Sequence, residues 1–164
     1  MPGGRMSALR HVATALILAG TLIAAAPPSP LVGRWAVDLA KLPMPPQARP
    51  KSVTITFGRT PKGPWTTAVE IIGGDGSARR MTSSAPADGT PVAIAGDLLE
   101  ADTAAVRFPA PNVLVLALTK DGVPASTRVY TVAADGKSMT EVSSSVGADG
   151  KPVLRTNWFT RLRP

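Results

Sequence analysis

The chain has no cysteine, and its one histidine, His11, lies close to the start. Without cysteine no disulfide can form, so stability has to come wholly from packing and backbone pairing. His11 belongs to a segment with the pattern of a targeting signal, as set out below. Once that segment is removed, no Ser-His-Asp or Cys-His nucleophile system can be assembled, and no zinc or copper site of the ordinary nitrogen and sulfur kind. Gly-rich phosphate loops, Gly-x-Ser-x-Gly elbows and Ser-x-x-Lys pairs are also missing. The sequence therefore predicts a protein that is not an enzyme and needs no cofactor or metal. Aromatic residues make up only 4% of the 164 and charged residues 18%, and nothing after residue 26 keeps a helical period for three turns. What is abundant is turn chemistry, with 15 Gly and 17 Pro, a composition of many turns and few long helices.

The start of the chain reads as a secretory signal peptide over 1–26. Arg5, Arg10 and His11 precede the apolar stretch Val12 to Ala26, which ends in small residues before Pro27 and Pro28. That stretch is short of the roughly 20 residues that span a bilayer comfortably, so cleavage, after Ala25 or Ala26, is expected rather than a retained membrane anchor. No adjacent Arg pair precedes it and the sequence has no cysteine, which excludes twin-arginine and lipid-anchored export. The expected location is periplasmic or secreted. After cleavage the 18 basic residues fall to 16 against 11 acidic ones, a charge of +5. The basic residues are scattered, and no basic stripe interleaved with aromatics marks a nucleic-acid surface.

Residues 27–51 hold an opening strand, Leu31 to Leu39, and a Pro-rich, polyproline-like arm, Leu42 to Pro50. From 52 to 164 short apolar and β-branched runs alternate with turn residues, which predicts a single antiparallel β domain. Strands are expected near Val53 to Phe57, Trp65 to Ile72, Ala78 to Ser84, Pro91 to Ala95, Ala104 to Phe108, Val113 to Thr119, Ser126 to Val132, Ser138 to Val146 and Val153 to Arg161, about ten with the opening strand. Period-two alternation gives several of them an inside and an outside. Val53, Ile55 and Phe57 share one face, Ala104, Val106 and Phe108 another, and Leu154, Trp158 and Leu162 a third, opposite Arg155, Asn157 and Arg161. Val113 to Leu118 is apolar throughout, as in a strand covered on both faces or one whose outer face meets the arm.

Five of the eight aspartates are followed by Gly: Asp75, Asp88, Asp121, Asp135 and Asp149. Asp-Gly suits the type I′ hairpin, whose two central residues both take positive φ. The pairs recur at a period that leaves room for two further turns, at Ala95 to Asp102 and Pro109 to Asn112. These aspartates are therefore expected to be structural turns rather than calcium ligands, which come several to a loop. Among the remaining acids, Asp97, Glu100 and Asp102 form the one sequence cluster, in a connection where a solvated loop is the ordinary reading.

Trp35, Phe57, Trp65, Phe108, Tyr130, Trp158 and Phe159 are all the aromatics present, and core filling accounts for most of them. Arg128 and Tyr130 share a strand face with Val132. Pointing inward, Arg128 is a buried cation suited to an anionic headgroup; pointing outward, the commoner place for an arginine, it is a surface charge.

Gly33-x-Trp35 ahead of meandering hairpins resembles the opening motif of lipocalin-like barrels. The resemblance implies that Trp35 plugs the closed end of a barrel with an arginine, Arg155 or Arg161, lying across it. Over nearly the whole mature chain the sequence also resembles a family of small exported bacterial proteins of unknown function. The shared features are Leu31-Val32-Gly33-x-Trp35-x-x-Asp38-x-x-Lys41, Pro50-Lys51-Ser52, Asp135-Gly136-Lys137-x-Met139-Thr140 and Asp149-Gly150-Lys151. Unlike lipocalins, the sequence has no helical pattern after its last strand and no disulfides. The expected fold is an all-β, antiparallel up-and-down meander, a lipocalin-like or flattened barrel of about 8 to 10 strands. The expected role is binding of a small apolar or amphipathic ligand, with Trp35, Trp158, Tyr130 and Arg128 as candidate ligand residues. The alternative is a structural or protein-interaction module of the cell envelope that docks through the arm or a sheet edge.

Overall fold

Hairpins joined at tight turns account for nearly all of the described chain, residues 29–59 and 63–163 of a computed structural model. The signal segment expected over 1–26, with its cleavage site, lies outside those residues. The strands are β1 Gly33–Val37, β2 Ser52–Arg59, β3 Trp65–Ile72, β4 Ala78–Ala85, β5 Val92–Ala93, β6 Ala95–Gly96, β7 Thr103–Ala110, β8 Val113–Lys120, β9 Val123–Val132, β10 Ser138–Val146 and β11 Pro152–Arg161. They form one antiparallel sheet in the order β5-β7-β8-β9-β10-β11-β1-β2-β3-β4-β6, curled into a nearly closed barrel. β1 joins the two ends of the meander, pairing Trp35 with Arg161 of β11 on one side and with Ile55 of β2 on the other.

The predicted run Pro91 to Ala95 becomes two strands because the barrel seam runs through it. Val92 and Ala93 pair with β7, whereas Ala95 pairs with Thr82 and Gly96 with Met81 of β4. One short segment thereby stitches the two open edges of the sheet, leaving no long strand edge there to recruit another chain. Asp88 belongs to the same seam. It forms an isolated bridge with Arg107 of β7, so the Asp88-Gly89 pair is a crossing corner rather than the hairpin turn its sequence suggests.

Only one of the remaining pairs is a type I′ turn. Asp121 has φ 51° and Gly122 φ 75°, between the paired residues Lys120 and Val123. At Asp75, Asp135 and Asp149 the glycine alone takes positive φ. There the glycine N–H closes a tight turn onto a carbonyl three residues back, from Gly73, Ala133 and Gly147 respectively. The aspartate sits before the glycine as a side-chain acceptor: its Oδ1 takes the N–H two residues on, from Ser77, Lys137 and Lys151. Asp-Gly thus serves two turn geometries, and only the longer loops use the carboxylate as a local cap.

With the end holding Gly33 and Arg161 set downward, the lower half of the barrel is solid. Trp35 is fully buried, its indole N–H bonded to the Leu31 carbonyl at 2.9 Å. Arg161 lies across its ring at 4.1 Å. The Arg161 guanidinium also donates to the carbonyls of Gly136 (2.6 Å), Val32 (2.7 Å) and Pro30. Gly33 has φ 137°, and a Cβ there would collide with that guanidinium. An aromatic chain runs upward from this plug: Phe108 meets Trp65 at 4.8 Å between centroids, Trp65 meets Phe57 at 5.5 Å, Phe57 meets Tyr130 at 5.2 Å and Tyr130 meets Phe159 at 6.2 Å. Large side chains of this kind contribute about 1.5–3 kcal/mol each when fully buried.

The inner face of β11 is the one opposite to that expected from its apolar residues. Phe159 is buried, whereas Trp158 is 39% exposed and Leu154 72% exposed. Adjacent residues cannot both face inward, and pairing Arg161 with Trp35 at the plug places the odd-numbered positions inside. β8 is likewise covered on one face: Leu114, Leu116 and Leu118 are buried, Ala117 is exposed. The Pro-rich arm does not cover its outer side. Instead, two 3-10 turns, Leu39–Lys41 and Pro46–Ala48, fold the arm at the top of the barrel, with polyproline-like backbone at Leu42, Pro45 and Arg49. Arg49 holds that shape by donating to the carbonyls of Met44 and Leu42.

Candidate ligand site

Above the aromatic chain the side chains turn aliphatic and shorter, and the interior opens into a cavity of about 140 Å³. Val69 and Ile71 of β3, Met81 of β4, Ile94 at the seam and Leu116 and Leu118 of β8 make most of its wall, with Phe159 and Tyr130 below. Leu42 brings the arm to its rim, and Glu100 and Ala101 bring the 97–102 loop. The volume is smaller than the roughly 300–1,000 Å³ of pockets for drug-sized ligands and close to that of a cavity that admits benzene.

One sector of the wall is polar. Arg128 and Tyr130 of β9, Glu141 of β10 and Asn157 of β11 face inward side by side, because Glu141 is cross-strand partner to both Tyr130 and Asn157. Glu141 is only 3% exposed and accepts from Asn157 Nδ2 at 3.1 Å. Arg128 reaches up to Glu100, 2.8 Å away. Their side chains are 26% and 46% exposed, so the pair stands at the mouth. Burial pushes the Tyr130 hydroxyl well above its ordinary pKa, Glu141 adds to the rise, and Arg128 opposes it. For Arg128 burial acts to lower the pKa, but Tyr130, Glu141 and Glu100 outweigh it and the guanidinium is held more firmly charged.

Two buried polar side-chain atoms have no hydrogen-bond partner among the described residues. One is the indole N–H of Trp65, in the packed lower half against Phe108. The other is Oγ1 of Thr67, 6% exposed, on the cavity wall across from the polar sector. A hydroxyl left without a partner in such a place costs about 1–3 kcal/mol, and a bound molecule with a polar group can recover it.

The mouth is framed by a fastened loop. Asp97 takes Arg79 through both oxygens, at 2.5 and 3.2 Å, and caps the Leu99 N–H. Asp102 accepts from the Asp121 N–H at 2.7 Å. Asp97, Glu100 and Asp102, adjacent in sequence, therefore go to three separate partners and tie the loop down at three points.

Of the four candidate ligand residues, the structure brings Arg128 and Tyr130 together on the cavity wall, so Arg128 faces inward, against the commoner placement. Trp35 lies at the plugged end, below the cavity. Trp158 is outside the barrel, with Lys41 over its ring at 5.1 Å. Glu141, Asn157 and Thr67 were missed. Each stands at an inward position of a predicted strand, but the register that sets Glu141 opposite both Tyr130 and Asn157 is not written in any one strand. No family model matches the chain, and no curated protein matches it in sequence.

Proposed function

We propose that this chain is an exported binding protein that holds a small, largely apolar molecule in the upper half of its barrel. The observation that carries the reading is the cavity itself: an apolar hollow beside one polar sector, with the Thr67 hydroxyl buried and unpartnered on its wall. A few convergent polar groups on an apolar wall are the usual make-up of a small-molecule site. The plugged end, with Arg161 across Trp35, supports the resemblance to lipocalin-like barrels, and the folded arm at the rim supports a mouth at the other end. The cavity size favours a ligand of about one ring or a short chain over a sterol or a long fatty acid.

Thermal unfolding with one-ring aromatics, short-chain alcohols, fatty acids and sterols tests this. Stabilisation by the small compounds and none by the large ones is expected; no stabilisation by any class contradicts the reading.

The outer face of β10 and β11 favours a second reading, the protein-interaction module. Val142, Val146, Leu154 and Trp158 are all exposed there, a larger apolar grouping than a solvated face needs. Unchanged thermal stability with every small compound, together with self-association or partner binding that Leu154→Ser weakens, would favour it.

A further inference from the structure

The charges around the cavity restrict the chemistry of what it holds. Three ionisable side chains other than Tyr130 line it: Arg128, Glu100 and Glu141. The guanidinium of Arg128 is already engaged, 2.8 Å from Glu100 at the mouth. Glu141, deeper and nearly fully buried, has an uncharged amide, Asn157, as its partner. Among the described residues no lysine or arginine lies within ion-pair distance of it. A ligand carboxylate would share that guanidinium with Glu100 and sit beside Glu141, bringing a third negative charge to a single cation. In a poorly solvated cavity such crowding is expensive. A donor placed on Glu141 meets the opposite situation, because a buried carboxyl group holds several acceptor positions, of which Asn157 fills one and the neighbouring Tyr130 hydroxyl reaches another.

Resting on the binding reading above, we infer that the ligand is a small apolar molecule whose polar end is a hydrogen-bond donor, an alcohol or an ammonium group, received by Glu141, and that carboxylic acids of the same skeleton are rejected. Thr67 Oγ1, across the cavity, supplies a second polar contact for a ligand with a hydroxyl at its other end.

The test uses one skeleton with four ends: toluene, benzyl alcohol, benzylamine and benzoate, each titrated into the mature protein by calorimetry. Benzyl alcohol and protonated benzylamine are expected to bind about tenfold or more tighter than benzoate, the scale of one charge-assisted hydrogen bond. Glu141→Gln should reduce the benzylamine-to-benzoate ratio by about tenfold. Benzoate binding as well as benzylamine, or a ratio unchanged in Glu141→Gln, overturns the inference while leaving the cavity a binding site. No binding of any of the four, toluene included, overturns the binding reading and this inference with it. Should the variant fail to fold, the ranking of the four compounds on the unaltered protein decides alone.

Discussion

Single side chains fasten this barrel in ways that make separate predictions. Arg161 joins the N-terminal segment, the Asp135-Gly136 turn and the Trp35 ring through three carbonyl bonds and a cation–π contact. A lysine keeps the charge but not the fork. Arg161→Lys should therefore lower the unfolding free energy by about 2 kcal/mol, read from urea titration. An unchanged midpoint would mean that the plug is not held by the guanidinium. Thr67→Val should act in the opposite direction, raising the stability of the ligand-free protein by about 1 kcal/mol, because a buried hydroxyl without a partner is replaced by a methyl of the same shape. Carboxylates of the turns and of the 97–102 loop supply a pH dependence. Asp75 is held below its ordinary pKa chiefly by the Ser77 hydroxyl and N–H, Asp88 by Thr90, Asp97 by Arg79 and the Leu99 N–H, and Asp135 by the N–H groups of Lys137 and Ser138. A carboxyl depressed in the folded state stabilises it above the unfolded pKa, about 3.9 for Asp, and that contribution is lost as pH falls through the lower folded values. The urea midpoint should hold steady from pH 7 to about 5 and drop below about 4. A midpoint that rises on acidification would contradict this assignment.

At the scale of elements, the strands were largely legible and the turns only in part. Trp65 to Ile72 and Ser138 to Val146 form strands with the predicted bounds, because alternation and flanking turn residues agree there. Four of the five Asp-Gly pairs located hairpin turns, Asp88-Gly89 being a crossing corner instead, but none gave the turn type. The dipeptide fits a two-residue type I′ loop and a longer glycine-closed loop equally, and the number of residues left between paired strands decides. The face of β11 was illegible for a different reason: Trp158 and Phe159 are neighbours of equal apolarity, and the choice between them is made by Arg161 against Trp35 on another strand. The same limit hid Glu141, whose neighbours in its own strand say nothing of a cavity formed by β3, β8 and β9. The 97–102 loop is predicted to owe its order to Arg79. In Arg79→Gln the amides of Asp97 and Asp102, bonded to the carbonyls of Arg80 and Thr119, should exchange with solvent several-fold faster while β8 amides keep their protection. Equal exchange in variant and parent would show that the ties at Glu100 and Asp102 and the backbone bonds hold the loop without Arg79.

The whole molecule is a barrel with unlike halves. Below, aromatic rings pack from Phe108 to Phe159 over a plug of Trp35 and Arg161; above, aliphatic side chains leave room for about 140 Å³ of cavity under the arm and the tethered loop. The sequence indicated an all-β barrel, and its resemblance to lipocalin-like barrels implied a plug at Trp35. It did not reveal that the seam is stitched by a single segment, or that the polar sector carries two carboxyl groups to one guanidinium. Those features depend on which strands become neighbours, and a meander fixes that only when its last strand meets its first. The central claim is that the upper cavity, rather than the apolar outer face of β10 and β11, is where this protein binds. Amide and methyl NMR spectra recorded during titration with benzyl alcohol test it most directly. Saturable shifts at Thr67, Leu116, Leu118 and Glu141, with Leu154 and Trp158 unmoved, are the predicted result; shifts confined to Leu154 and Trp158, or none at any of these residues, would contradict it.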